Sequence, residues 1–345
     1  MIVESLRKSQ QGEHLTADEA FVVFREIMNG EVIDPILIAA LLTAMQMNRP
    51  SAEEVTGAAR AMRGAGIKVK APKDAVDIVG TGGDGFGTFN ISTTAALIAA
   101  GAGVTIAKHG NKASTSKSGS ADCLAALGYD LMHSIEEVEH MIAAFGIGFC
   151  FANRCHPAMM YAAPVRKVLP YRTIFNLLGP LTNPADVTRH ALGVYAPEII
   201  PIYVSALKAL GAERALVFCG EVPQDDGSVK YLDEFSLSGV THVSILREDG
   251  SVLETVFDPA KTFGSYRPIE AIRGGTPEEN AAITLEILEG RRRDAYRDAA
   301  VVNAAAAIIA GGKAATIEEG IACAEKSIDD GFAREKLSRL VGKGV

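Results

Sequence analysis

The sequence contains few of the residues that mark disulfide-bonded, zinc-binding or disordered proteins. Its 5 cysteines are odd in number, widely spaced and without a CxxC pair. That pattern is typical of a reducing cytoplasm and gives no signal for a zinc site. Only 14 of the 345 residues are proline and 22% are charged, which argues against long disordered segments. The 48% of hydrophobic residues is ample for a core.

No segment has the pattern of a signal peptide or a membrane span. Residues 1–5 lack a basic region followed by an apolar core, and no uncharged apolar run reaches the ~18 residues that a transmembrane helix needs. The formal net charge of −8 disfavours nucleic acid and anionic membranes as general partners, because phosphate groups attract basic surfaces. We therefore expect a cytoplasmic protein with no nucleic-acid or membrane partner, although a local basic site could still bind a small anion.

The first 65 residues have the pattern of three helices. Thr16 and Glu19 form a capping box before the first, Asp34-Pro35 is a typical start for the second, and Ser51 begins the third. The second helix is apolar on nearly every side, so it is either core or a subunit contact. Both interpretations fit the pattern, and the second predicts a homodimer formed through the N-terminal helices.

After a linker at residues 68–72, strand and helix patterns alternate, which favours a parallel or mixed sheet with helical crossovers. The predicted strands cover residues 76–79, 104–107, 149–152, 191–195 and 215–219, and the C-terminal part has a helical pattern. At 345 residues the chain exceeds the ~100–200 expected of one domain. We expect an α/β protein: a small all-helical domain plus a large α/β domain whose central mixed or parallel sheet is flanked by helices.

Two loops carry the strongest chemical signal. The first, residues 80–85, has the sequence Gly-Thr-Gly-Gly-Asp-Gly between a strand and a helix that begins near Ser92. Glycines let backbone N–H groups approach a ligand, and a helix N-terminus favours an anion. Alone, such a turn could be structural. It lacks the Gly-Lys-Ser/Thr ending of a P-loop and does not match the dinucleotide-binding glycine pattern.

The second loop begins with Lys108, which the pattern places directly after a strand, where α/β sheets present ligand-binding groups. Residues 112–120 then contain five hydroxyl side chains, two lysines and a glycine. Such a composition also occurs in flexible linkers. Because two loops of this kind flank ordered elements in one chain, we predict a phosphate-binding enzyme.

Several motifs together resemble one family. They are residues 80–84 (Gly-Thr-Gly-Gly-Asp), 90–93 (Asn-Ile-Ser-Thr), 108–111 (Lys-His-Gly-Asn), 116–122, 156–159 and 172–184. In this order they resemble the signature loops of anthranilate phosphoribosyltransferases, and the resemblance continues to residues 293–294 and 303–305. It therefore covers nearly the whole chain.

The resemblance implies an enzyme, a pentosyltransferase of tryptophan biosynthesis. Members of this family transfer the phosphoribosyl group of phosphoribosyl pyrophosphate (PRPP) to the amine of anthranilate and release pyrophosphate. It also implies a helical domain at residues 1–68, joined by an inserted segment near 165–188, an α/β domain at 72–345, and a homodimer. A covalent intermediate is not expected.

The resemblance also implies the site residues. The PRPP-binding residues would be Gly80, Gly83, Asp84, Thr88, Asn90, Ile91, Ser92, Thr93, Lys108, His109, Gly110, Asn111, Lys112, Ala113, Ser114, Thr115, Ser116 and Ser120. Gly80, Asn111 and Arg166 would contact anthranilate, since a planar guanidinium binds a carboxylate in a bidentate manner. Ser92, Asp233 and Glu234 would bind Mg²⁺, with two ions expected, because hard oxygen ligands suit this metal.

Plain structural interpretations stand beside these roles. Adjacent acids such as Asp233-Glu234 are common in solvated turns, Arg166 could be an ordinary exposed helical arginine, and His109 and His156 are favoured as structural histidines. The chain also departs from the family pattern at Asn153-Arg154-Cys155, at Pro170-Tyr171, and in a longer, more acidic stretch at residues 221–232.

The first departure adjoins the expected acceptor tunnel. It leaves open a PRPP-dependent transferase that acts on a different aromatic amine or base. A nucleoside phosphorylase fits less well, because the Asp233-Glu234 pair would be unexplained. A non-catalytic nucleotide-binding relative is the alternative from another functional class.

Overall fold

The computed structural model describes residues 1–113 and 116–342. The chain begins with a helical bundle: α1 (Ile2–Gln10), α2 (Ala17–Met28), α3 (Pro35–Asn48) and α4 (Ala52–Ala65). The capping box at Thr16 is confirmed, since Thr16 Oγ1 accepts from the Glu19 N–H and the Glu19 carboxylate accepts from the Thr16 N–H. The expected number of three helices is wrong. Helix α1 is mostly polar and buries only Ile2, Ser5 and Ser9, so it has a weak apolar pattern.

Helix α3 is buried on one face, through Ile38, Leu41, Leu42 and Met45. On the other face Ile36 and Met47 are 76% and 80% exposed. The interpretation of α3 as core on every side is therefore wrong for the described chain. The open apolar face is the feature that the subunit-contact interpretation requires.

An eight-stranded sheet forms the centre of the rest of the chain. Its strands are β1 (Val76–Gly80), β2 (Ile106–Gly110), β3 (Ile147–Phe151), β4 (Arg189–Gly193), β5 (Arg214–Pro223), β6 (Val229–Leu232), β7 (Thr241–Leu246) and β8 (Val252–Phe257). The strand order is β3-β2-β1-β4-β5-β7-β8, and β6 pairs with β5. Strands β1 to β5 run parallel, and β6, β7 and β8 pair antiparallel. The predicted mixed sheet is confirmed.

Helices cover the sheet and connect its strands. They are α5 (Ile91–Gly101), α6 (Ser120–Ala126), α7 (Ile135–Phe145), α8 (Ala152–Cys155), α9 (Ala163–Val168), α10 (Phe175–Leu178), α11 (Ile200–Ala209), α12 (Pro259–Phe263), α13 (Pro277–Leu288), α14 (Ala295–Ala310), α15 (Ile317–Asp329) and α16 (Phe332–Leu340). Short 3-10 turns cover Pro157–Tyr161, Gly179–Leu181, Pro197–Ile199 and Ile269–Ile272. No helix among the described residues is long and apolar enough to span a membrane.

Two large apolar clusters hold these layers together. One packs α5 and the alanine-rich α14 between the sheet and α15. The other joins the N-terminal helices to α9, α10, α11 and the opposite face of the sheet. Within it, the Phe24 and Phe175 rings meet edge to face with centroids 5.5 Å apart. Residues near the predicted insertion at 165–188 thus pack on the bundle, and we retain the division into domains 1–68 and 72–345 as a proposal.

The unusual stretch at residues 221–232 is a β-hairpin. Strand β5 continues to Pro223, the chain turns at Gly227 with φ +80°, and β6 returns antiparallel. Its last residue, Leu232, is buried and directly precedes the Asp233-Glu234 pair. The stretch therefore extends the sheet and returns the chain to the centre of the candidate site.

Candidate active site

The site lies where the direction of strand order reverses, between β1 and β4. Gly80 and Gly193 end these strands in register with each other. A Cβ at either glycine would collide with Asp233. In open α/β sheets ligands bind in the crevice outside the carboxyl ends of strands at such a point. Gly80 therefore makes room for the Asp233 side chain, and Gly193 for the Asp233 backbone, at the usual place for a ligand.

The glycine loop that follows β1 has a backbone that other residues could not easily adopt. Gly82 and Gly83 have φ values of +73° and +77°, which favour glycine. The Gly82 N–H donates to Asp233 Oδ2 at 2.6 Å. On the other side, the Arg172 guanidinium donates to the carbonyl oxygens of Gly82 and Gly83. The loop is thus held from both sides.

Arg172 was not predicted as a site residue. Its guanidinium also lies over the Tyr195 ring, 3.7 Å from the centroid, which is a cation–π contact. The only signal in the sequence was its position at the start of the motif at residues 172–184. The spatial link to the glycine loop, about ninety positions earlier, had no signal in the sequence.

Asp233 and Glu234 are only 7% and 9% exposed, so the interpretation of a solvated turn is wrong. Burial and the neighbouring Asp84 carboxylate raise the pKa of Asp233 well above its usual range. Burial and Asp233 do the same to the pKa of Glu234, while Lys108 opposes the shift. Like charges that are buried together disfavour ionisation. A bound cation would relieve this repulsion.

The oxygen groups at this point fit Mg²⁺. Among the described residues no group of three or more His, Cys, Asp or Glu side chains is arranged to hold a metal. Mg²⁺, however, usually takes one or two carboxylates from the protein and its other ligands from water and substrate phosphates. The Asp233-Glu234 pair satisfies that requirement. The Ser92 backbone lies within hydrogen-bond reach of Glu234, and the Ser92 hydroxyl is 3.3 Å from Lys108 Nζ.

Lys108 lies within strand β2, not after it. The predicted strand end at residue 107 is wrong, because β2 continues to Gly110 and Lys108 is 3% exposed. Its Nζ donates to the Ile78 carbonyl at 2.6 Å and to Ser92 Oγ at 3.3 Å. Burial lowers its pKa, and the charges of Asp77 and Glu234 oppose that shift. The ammonium group thus links β1, α5 and the acidic pair.

Strands β1 and β2 are tied by a side chain near the site. Asp77 Oδ1 accepts from the His109 N–H at 2.9 Å, and Asp77 is fully buried. Burial raises the pKa of Asp77 to about 6, although Lys108 and the His109 N–H lower it. This carboxylate fixes the backbone that carries Lys108 and His109.

The remaining residues of the first loop differ in which polar groups they can present to a ligand. Ser92 is half-buried at the start of α5, and Thr88 pairs with Arg273 through an isolated bridge. The side chains of Ile91 and Thr93 are buried in the core, and the Ile91 N–H donates to the Phe89 carbonyl. These two residues therefore have little to present to a ligand except the backbone of Thr93.

The second loop closes on the start of α6. The Asp122 carboxylate accepts from the N–H groups of Ala113 and Gly119 at 2.8 and 2.9 Å. Asn111, Lys112 and Ser116 are exposed, and Ser120 Oγ donates to the Asn111 carbonyl. The predicted residues Ser114 and Thr115 lie outside the described residues. The Asp122 carboxylate thus holds the described residues at both ends of the loop, and the loop presents polar side chains to solvent.

His109 and His156 lie beneath the site. Their rings meet edge to face with centroids 5.1 Å apart, and His109 Nδ1 is 3.2 Å from the Gly179 carbonyl. Burial lowers the pKa of His109 to about 3 and that of His156 to about 4. Both rings are therefore neutral at ordinary pH, but neither Nε2 has a hydrogen-bond partner among the described residues, so the interpretation as satisfied structural histidines holds only in part.

Arg166 lies in the last turn of the short helix α9. Its guanidinium is over the Phe175 ring, 5.4 Å from the centroid, and the residue is exposed. The aromatic contact orients the head group, and partial burial there lowers the pKa of the Arg166 guanidinium. Such a cation can bind a carboxylate.

Two of the residues that depart from the family pattern at 153–155 have contacts of their own. Arg154 Nη1 donates to the Met132 carbonyl at 2.9 Å, and Cys155 is buried in a small cluster with Val69 and Cys150. At the second departure, the Tyr171 hydroxyl lies 2.6 Å from Thr43 Oγ1 of helix α3. Two of the three residues at 153–155 thus have structural partners elsewhere.

Comparison with known proteins agrees with this architecture. The family model described as glycosyl transferase family, helical bundle domain, matches residues 3–66, and the α/β-domain model of the same family matches residues 72–334. The chain is 46% identical over 341 residues to the anthranilate phosphoribosyltransferase of Rubrobacter xylanophilus. The aligned region covers 99% of this chain and 97% of that protein.

Solved structures agree as well. Anthranilate phosphoribosyltransferase from Thermus thermophilus has a TM-score of 0.89 and 41% identity, with 98% of each chain covered. The enzyme from Saccharomyces cerevisiae in complex with PRPP and Mg has a TM-score of 0.86 and 29% identity, covering 99% of this chain and 97% of that one. On these similarities over nearly its full length, the chain belongs to the anthranilate phosphoribosyltransferase family.

Proposed function

We propose that the chain transfers the phosphoribosyl group of PRPP to the amine of anthranilate, giving N-(5-phosphoribosyl)anthranilate and pyrophosphate in tryptophan biosynthesis. The observation that carries the proposal is the buried Asp233-Glu234 pair against Gly82 and Lys108. A pair of buried acids, a lysine and a glycine loop together suit a ligand that brings both phosphate groups and a divalent cation.

On the donor side, the glycine loop and the start of α5 bind PRPP through backbone N–H groups and the Ser92 hydroxyl. Lys108 balances phosphate charge, and the second loop from Asn111 to Ser120 covers the phosphoribosyl group. Asp233, Glu234 and Ser92 hold Mg²⁺, with two ions in the complete complex. When bound, the metal neutralises charge on the departing pyrophosphate.

On the acceptor side, Arg166 binds the carboxylate of anthranilate, and Gly80 and Asn111 line the approach to the ribose. The amine nitrogen bonds to the ribose carbon as the bond from that carbon to pyrophosphate breaks. The electron pair leaves with pyrophosphate, and the amine loses one proton. The ribose passes through an oxocarbenium-like state, so the residues act by positioning and charge rather than as a covalent nucleophile.

The open face of α3 supports a homodimer through the N-terminal helices, because Ile36 and Met47 would otherwise remain in water. A cytoplasmic location is proposed from the scattered, unpaired cysteines.

One assay tests the function. The chain is mixed with PRPP, Mg²⁺ and anthranilate, and the loss of anthranilate fluorescence is followed with and without EDTA. Loss that requires both substrates and the metal supports the proposal. No turnover with PRPP still bound indicates a different aromatic amine or base as acceptor. Failure to bind either substrate indicates a non-catalytic relative.

A further inference from the structure

Asn280 is a buried asparagine that lies outside both loops but is bonded to one of them. It is on helix α13 and only 2% exposed. Its Oδ1 accepts from the Gly275 N–H at 2.9 Å, and its Nδ2 donates to Asn90 Oδ1 at 2.8 Å. Both ends of its amide are therefore used. Neither Asn280 nor Gly275 belongs to the motifs that define the site.

Asn90 in turn connects the two loops. Its Oδ1 also accepts from Ser118 Oγ at 3.0 Å, and its Nδ2 donates to the Ser118 carbonyl at 3.3 Å. Although Asn90 is the N-cap residue of α5, its side chain caps no N–H of that helix. The side chain is instead hydrogen-bonded to Ser118 of the second loop and to Asn280.

The Gly275 N–H determines which atoms donate and which accept in this series of hydrogen bonds. A backbone N–H can only donate, so Gly275 fixes the oxygen of Asn280, and the nitrogen of Asn280 must then face Asn90. Asn90 consequently presents its oxygen to Asn280 and its nitrogen to the Ser118 carbonyl. The orientation of Asn90 thus depends on a residue 190 positions away in the sequence.

The same segment supports the first loop through its backbone. The Gly274 N–H donates to the Gly87 carbonyl at 2.8 Å, and Arg273 pairs with Thr88. A Cβ at Gly274 would come within 2.5 Å of the Thr88 carbonyl oxygen. Asn280, through Gly275, holds this segment against the loop.

We infer that Asn280 is a positioning residue for the donor site: it fixes Asn90 and residues 273–275, and so holds the two phosphate-binding loops at one separation. The inference rests on the proposed function, because it assigns these loops to PRPP. A ligand with phosphates at both ends needs the two sets of donors at a set distance. Loss of Asn280 therefore weakens PRPP binding without removing any group that touches the substrate.

The test compares Asn280→Ala and Asn280→Asp with Thr284→Val. The Asp variant retains an acceptor for Gly275 but places a second oxygen against Asn90 Oδ1. Thr284 is one turn further along α13, fully buried, and bonded to Thr94 Oγ1 at 2.8 Å. Its valine variant loses a buried hydrogen bond to the same helix α5 but touches neither loop.

For both Asn280 variants we expect the KM for PRPP to rise about five- to tenfold, the change that one lost hydrogen bond supports, with kcat changed about twofold or less. The KM for anthranilate should stay constant. Thr284→Val should lower the Tm without changing the KM for PRPP. Steady-state kinetics and thermal unfolding of all three variants provide the measurements, and the Asp variant answers the question if the Ala variant does not fold.

An unchanged KM for PRPP in a folded Asn280 variant overturns the inference, as does an equal rise in Thr284→Val. Equal loss for both substrates also overturns it, because that pattern indicates general destabilisation. If the unmodified chain binds PRPP and turns over, these outcomes count against Asn280 alone. If it does neither, the proposed function fails instead.

Discussion

Buried polar contacts hold the donor half of the proposed site, whereas the acceptor half around Arg166 is built from short helices that pack on the N-terminal bundle. In the donor half, Lys108, Asp233 and Glu234 are all less than a tenth exposed. In the acceptor half, α9 and α10 have six and four residues, and Arg166 is exposed. Helices this short are not stable alone.

The difference follows from the chemistry of the two substrates. A polyanion with a metal ion requires several charges to be fixed in advance, and a rigid parallel sheet provides this. The acceptor half depends on packing against the N-terminal helices, as the Phe24–Phe175 contact shows. In the proposed site, the groups assigned to the donor are thus held by the sheet, while those assigned to the acceptor depend on how the N-terminal bundle packs against the sheet.

The strongest test of the donor half replaces both buried acids, with Asp233→Asn and Glu234→Gln in one chain. We expect Mg²⁺-dependent turnover to fall about 10³-fold or more, because charge stabilisation at the leaving group is lost. The Tm should be unchanged or higher. Both carboxyls have a raised pKa when folded, so their ionised forms destabilise the fold at neutral pH.

Initial rates across an Mg²⁺ titration, together with thermal unfolding, measure both effects. The matched control is Asp225→Asn with Asp226→Asn, an adjacent pair of acids that is exposed in the turn of the nearby hairpin. It should retain full activity. Full activity in the Asp233 and Glu234 variant would defeat the magnesium assignment.

Asp77 predicts a pH dependence of stability in the donor half. Its folded pKa of about 6 is raised by burial above the ordinary value of 3.8. The stabilising contribution of Asp77 to the free energy of unfolding is therefore complete below about pH 4 and is lost as the pH rises through about 6. Across that interval the free energy of unfolding should fall by up to about 3 kcal/mol more than in Asp77→Asn.

Denaturant unfolding at pH 4, 5, 6 and 7 measures this difference. Asp74→Asn, at an exposed position just before β1, is the control and should keep the pH profile of the unmodified chain. Parallel profiles for the unmodified chain and Asp77→Asn would contradict the raised pKa of Asp77. They would show that neighbouring groups in the fold stabilise its ionised form enough to offset burial.

Arg166→Ala examines the acceptor half. The KM for anthranilate should rise about 10- to 100-fold, as expected for a lost hydrogen bond to a charged group, while the KM for PRPP stays within about twofold. Steady-state kinetics with each substrate varied in turn give both values. Lys167→Ala, its exposed neighbour, should change neither. Equal loss for the two substrates contradicts the assigned role.

Local patterns predicted most of the framework. The capping box at Thr16, the glycines at 80–85 and the alternation of strands and helices all depend on neighbours in the sequence, so they could be recognised directly. Strand ends were less accurate, since the extension of β2 through Lys108 depends on pairing with β3.

The contacts that organise the site are distant in sequence and had no such signal. Burial of Asp233 depends on the hairpin that returns it to Gly82, 151 positions away. Arg172 and Asn280 reach the first loop from other elements in the same way. The residues of the proposed donor site were predicted from motifs, but the side chains that support them required the fold.

The smallest expected effect concerns the departure at Arg154. Its guanidinium is already hydrogen-bonded to the Met132 carbonyl. Arg154→Ala should therefore leave the KM for anthranilate within about twofold and cost about 1 kcal/mol of stability or less, the usual value of one hydrogen bond. Steady-state kinetics give the KM for anthranilate and denaturant unfolding gives the stability, with Arg166→Ala measured in parallel. A KM change as large as that of Arg166→Ala would mean that the acceptor half extends to residues 153–155, and that its specificity differs from that of its relatives.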